Sequence, residues 1–120
     1  NLLSKQQWSI RKMSNHLRGE VEINLGENVF NCKLNFDSLV RIETALDTPI
    51  IKLAGKISNA DLKVTEISYI LFTAIKGGGK DISEKEVNDM IWKAGFIDGI
   101  KACGDIISMA LSSGDEEKKS

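Results

Sequence analysis

The chain has 120 residues, 42% hydrophobic and 28% charged, so it can bury the core of one domain and lies far from the disordered regime. Sixteen Lys and Arg against seventeen Asp and Glu leave a formal net charge of -1, which removes any global pull onto nucleic acid or an anionic membrane. No apolar run approaches the roughly 18 residues of a membrane span, and "NLLSKQQWSIRK" lacks the long apolar core of a secretory signal, so a cytosolic protein is expected.

Residues 1–12 precede Met13 and read as an upstream extension or cloning remnant, and no function is built on their Trp8; the domain proper is expected over 13–112. In "GEVEINL" the alternation puts Val21, Ile23 and Leu25 on one face of a strand, and in "VFNCKLNF" Phe30, Cys32 and Leu34 share a second one. The intervening "GEN", Gly26 to Asn28, is a turn between antiparallel strands, which predicts a hairpin. The period then changes. Phe36, Leu39, Val40 and Leu46 follow helical spacing behind Asn35, a residue suited to the N-cap, and predict a helix over 36–46. "DTPII" predicts a second, short helix from Pro49 to about Gly55, with Thr48 as its cap and Pro49 at its first position. "ISNADLKV" has no helical period and reads as a connection ending at Thr65, the expected cap of a third helix. That helix carries Ile67, Ile70, Leu71, Ala74 and Ile75 as a full apolar stripe, widened by Tyr69 and Phe72, and is expected at the centre of the core.

Three glycines follow, in "AIKGGGKDISEKEV". A phosphate-binding loop of the G-x-x-x-x-G-K-[ST] type fails here twice: Ala74 stands where its first glycine belongs, and Asp81 stands where a hydroxyl should meet magnesium. The preceding element is also a helix rather than a buried strand. Gly77, Gly78 and Gly79 therefore read as a corner between helices, with Gly77 expected in a left-handed conformation that closes the third. Ser83 and Glu86 have the S-x-x-E spacing of a capping box and open a fourth helix, Glu84 to about Ala94, which is expected to bury Val87, Met90 and Ile91. Gly95 breaks it. A fifth helix, about Phe96 to Ser112, carries Ile97, Ile100, Gly104, Ile107 and Leu111 at steps of three and four, with Phe96, Cys103 and Ala110 extending the face. The closing 113–120 charge run is expected to be a mobile tail. The fold class is thus α+β, mainly α: an N-terminal antiparallel hairpin followed by about five short helices.

Residues that carry chemistry are sparse. Cys32 and Cys103 lie in apolar runs without C-x-x-C spacing, which predicts buried free thiols. His16 is the one histidine, so neither a metal site nor a Cys–His or Ser–His pair is supported. Glu20 and Glu22 fall on the outward face of the first strand and read as solvated. No catalytic residue and no cofactor is expected, and the chain does not read as an enzyme.

Taken together, "RGEVEINLGENVFNCKLNFDSLVRIETAL", "AIKGGGKDISEKEV" and "AGFIDGIKACGDIISMAL" resemble the tail-assembly proteins of alphaproteobacterial gene transfer agents and related prophages. That family is described both as tail tube proteins and as tail assembly chaperones. The resemblance spans about Ser14 to Leu111 and departs from the family at "LDTPII", where relatives tend to have a glycine. It implies a protein of the bacterial cytoplasm, made during particle assembly, that acts as a chaperone for the tape measure protein. The tail tube protein is a further implied partner, and a homo-oligomer is left open. On that reading Ile97, Ile100, Ile107 and Leu111 form the apolar contact surface, against the alternative that they fill the core. Two other readings stand beside it: a structural tube or adaptor component retained in the particle, and a small regulatory or nucleic-acid-binding helical protein. A tube subunit closed by strand pairing needs a larger sheet than one hairpin.

Overall fold

A computed structural model describes residues 20–119; the expected extension 1–12, Trp8 and His16 lie outside the described residues. The alternation in the first segment forms β1 (Glu20–Leu25), which pairs antiparallel with β2 (Asn28–Lys33) in the register Val21 to Cys32 and Ile23 to Phe30. Gly26, at φ +65, begins the two-residue turn, the positive φ that such hairpins favour. The inward side chains Ile23, Leu25, Phe30, Cys32 and Leu34 are all buried. Two strands alone bury too little to be stable in water, so the hairpin depends on the helices behind it.

Five helices follow among the described residues: α1 (Phe36–Leu46), α2 (Ile50–Ser58), α3 (Val64–Gly77), α4 (Glu84–Ala94) and α5 (Phe96–Lys119). The expected α+β, mainly α architecture is the one observed. In α1, Asn35 caps as expected, its side chain accepting the Ser38 N–H at 2.8 Å. The core residue of that helix is Ile42, fully buried, whereas Phe36 and Val40 of the predicted stripe are 77% and 46% exposed. Helical periodicity alone did not fix which arc meets the core, because apolar residues sit on both sides of α1. The helix ends at Asp47, in the left-handed region at φ 51, a conformation that Asp tolerates better than most residues.

The starts of α2 and α3 depart from expectation, since in both a glutamate carboxylate accepts the free backbone N–H. At α2 the N-cap is Pro49, and the Ile50 N–H is accepted by Glu43 of α1 at 2.8 Å, while the Thr48 hydroxyl donates to the Leu46 carbonyl instead. The helix also runs through Gly55 to Ser58, because Ile57 has a place against α5. At α3 the N-cap is Lys63 rather than Thr65, and its backbone N–H donates to Glu66 at 2.8 Å. The second oxygen of Glu66 takes the Lys56 ammonium of α2 at 2.8 Å. Burial by itself raises the pKa of this carboxyl, but the hydrogen bond from Lys56, the Lys63 N–H and their charges outweigh it, and the group is held below the usual carboxylate range.

α3 is buried nearly all round, and β2, α1, α4 and α5 pack against it. Its predicted stripe of Ile67, Ile70, Leu71, Ala74 and Ile75 is fully buried. Its buried Ser68 hydrogen-bonds Asn88 of α4, so the polar group placed in this core has its partner. Capping at α4 follows the sequence: the Glu86 N–H donates to the Ser83 hydroxyl at 3.1 Å and the Ser83 N–H to the Glu86 carboxylate at 2.9 Å. Val87 and Ile91 of that helix are buried as expected, and Met90 is half-buried beside them. α5 overruns its expected end and stays helical to Lys119, since Glu and Lys are good helix formers and Gly114 is the weakest residue in that run.

The glycine corner does turn the chain between α3 and α4, but for a reason the sequence did not show. Gly77 is the last residue of α3 and Gly78, at φ -80, its C-cap; the positive φ belongs to Gly79, at +106. A side chain on Gly77 would meet the Lys33 carbonyl oxygen at 2.2 Å, and one on Gly78 the Asn31 carbonyl oxygen at 2.0 Å. Both oxygens belong to β2, two residues apart and hence on one strand edge. The glycines therefore let the end of α3 lie directly against the hairpin backbone. Gly77 is not the left-handed position; it is a contact position.

Two expectations follow. Gly78→Ala should cost at least about 2 kcal/mol in urea unfolding, as an overpacked backbone contact, while Gly55→Ala, with nothing near its Cβ, should gain a few tenths of a kcal/mol or more from helix propensity. For Glu66, a pKa lowered on folding means stability present above its unfolded value near ~4.3 and lost as pH falls through the folded one. A melting-temperature series against pH should thus decline below about pH 5, and Glu66→Gln should remove part of that decline while lowering stability at neutral pH.

Candidate functional site

α5 lies along both α3 and α2, and small residues set how near it comes. A Cβ on Gly104 would stand 3.2 Å from the Ile57 Cγ2 of α2. Between the two helices lies an open groove of about 470 Å³, lined by Ala54, Ile57 and Ser58 on one wall and by Gly104, Ile107, Ser108, Leu111 and Ser112 on the other. Ala54 and Ser58 are one turn apart on α2, and Gly104, Ser108 and Ser112 repeat that spacing on α5. The Ser112 hydroxyl donates back to the Ser108 carbonyl at 2.8 Å, which leaves its wall less polar than its composition suggests. None of the lining residues is ionisable. The groove can hold apolar side chains but offers no general acid or base.

The four residues expected to form a contact surface have separate fates. Ile107 is 1% exposed and Leu111 39%, so the first forms the buried floor of the groove and the second its rim. Ile100 is half-buried against the core, and Ile97 is 62% exposed but does not line the groove. Ile106, which lies outside the predicted stripe, is fully buried. The core-facing arc of α5 is centred on Ala102, Cys103 and Ile106, and the predicted stripe borders it. Ala54, Ser58 and Ser108 went unread because small residues carry no periodic apolar signal; their i, i+4 spacing on both helices is the signal available.

Elsewhere the described residues offer little reactive chemistry. Cys32 and Cys103 are free and buried. Burial pushes the Cys32 thiol up to about 12 and the Cys103 thiol higher still, so neither supplies a thiolate near neutral pH. Glu86 is held below the ordinary carboxylate range by the Ser83 N–H and hydroxyl, as its capping role requires. Among the described residues no cluster of His, Cys, Asp and Glu could hold a metal ion, and no helix is long and apolar enough to cross a membrane.

The described residues thus form a small α+β domain whose groove is lined by uncharged side chains. Residues 18–113 match the family of the phage tail tube protein, GTA-gp10, and the chain belongs to that family. No curated protein and no solved structure matches it. The match takes in the hairpin, the glycine corner and every residue that lines the groove, so the protein is a phage tail protein of the gene-transfer-agent kind.

The groove and the core separate under substitution. Ile107→Ala should lose about 3 kcal/mol in urea unfolding, whereas Leu111→Ala and Ile97→Ala should each lose under about 1 kcal/mol.

Proposed function

We propose that this chain is a structural component of the tail tube that meets a neighbouring tail protein through the α2–α5 groove. The observation that carries this reading is the family match over residues 18–113, whose description is that of a tube protein. The uncharged, small-residue lining of the groove supports it, because such walls admit a close-packed helix or apolar segment of a partner without stranding a charge. The role is non-enzymatic and is played in the bacterial cytoplasm while the particle is built.

The second reading is an assembly chaperone that keeps the tape measure protein soluble and leaves before the tail is finished. One structural observation favours it: among the described residues the sheet has two strands, and α3 closes one edge of β2 at Gly77 and Gly78. Strand pairing from subunit to subunit around a tube has little to build on there. Quantitative mass spectrometry of purified particles separates the two. A tube component is expected in many copies per particle; its absence from particles, joined to loss of soluble tape measure protein when the gene is deleted, would replace the first reading with the second.

A further inference from the structure

The outward face of α4 carries the largest exposed apolar side chain among the described residues. Trp92 is 77% exposed and stands edge-on to Phe96, ring centroids 6.3 Å apart, and Phe96 and Ile97 are themselves 43% and 62% exposed. Three large apolar groups thus stand in water at the corner where α4 passes into α5. Nothing in the core requires this, since Val87 and Ile91 anchor α4 from the opposite side. Asp89 and Lys93 flank Trp92 on the outward face, one turn apart, both exposed, and neither makes an ion pair among the described residues.

We propose that this corner is the contact between two copies of the chain related by a twofold axis. A twofold axis perpendicular to α4 sets the helix antiparallel to its copy. With the axis crossing the helix at the level of Ile91, Asp89 of each copy falls opposite Lys93 of the other, and the two Trp92 side chains meet near the axis. The face is then self-complementary: two opposite-charge pairs flank one aromatic centre, the arrangement in which an exposed Trp contributes most to association. This contact is separate from the groove, for Ile97 and Gly104 lie about 10 Å apart along α5 at 1.5 Å per residue. It therefore stands or falls independently of the tail-tube reading.

The test is sedimentation equilibrium on the full chain and three variants. The wild type is expected to show a concentration-dependent monomer–dimer equilibrium, weakened at least about tenfold by Trp92→Ala. Asp89→Lys alone and Lys93→Asp alone should each weaken it by about tenfold, because each places like charges across the axis. An equimolar mixture of those two variants should recover dimers, since both positions of one chain are then basic and both positions of the other acidic, and every facing pair is of opposite sign. Ile97→Ser, also at an exposed site, serves in place of Trp92→Ala if circular dichroism shows that variant unfolded. A wild type that stays monomeric at its highest soluble concentration overturns the proposal, as does a dimer that the mixed variants fail to restore.

Discussion

The backbone contact between the end of α3 and the edge of β2 is the constraint on which the other elements depend. Gly77 and Gly78 lie against the Lys33 and Asn31 carbonyl oxygens so closely that no side chain fits at either place. This joins a two-stranded hairpin, unstable by itself, to a helix buried on nearly every side. The same contact sets where α3 must stop, hence where Gly79 turns and where Ser83 opens α4. A run that resembles a nucleotide loop is thus a structural joint, and its lysine and aspartate, Lys80 and Asp81, follow it into solvent.

Around α3 the remaining helices are secured by individual polar links laid over apolar packing. Glu66 binds α2 to the start of α3, Ser68 binds α3 to α4, and Glu43 supplies α2 with the cap that its own first residues lack. Each link is at least partly buried and satisfied, so it adds specificity to contacts that the hydrophobic effect drives without direction. This frame leaves some apolar surface uncovered. Two places qualify: the groove between α2 and α5, where small residues line the walls, and the aromatic corner of α4 and α5. Both are the surfaces proposed above for contact, in keeping with membership of a phage tail family.

Asp47 occupies a left-handed position, the conformation for which glycine is the ordinary choice, and its N–H donates to the Glu43 carbonyl to close α1. An aspartate can serve there at modest strain.

Strand alternation, the α3 stripe, the Asn35 cap and the Ser83–Glu86 box were legible in the residues because each is set by neighbours close along the chain. The hairpin and the span of α1 followed for the same reason. What the sequence could not settle was every feature made by two distant segments. Ile42 rather than Phe36 faces the core because α3 lies on that side of α1. Glu43 and Glu66 became caps and cross-links only once their helices were placed together. Ile107 turned out to be floor and Leu111 rim because α2 stands beside α5 at a distance fixed by Gly104 and Ile57. Sequence by itself determined the order and kind of the elements and the family, since local periodicity and ordered motifs suffice for both. Tertiary structure alone decided which faces are core, which glycines are contacts and where an apolar groove stays open, because those depend on the separation of surfaces that no local pattern encodes.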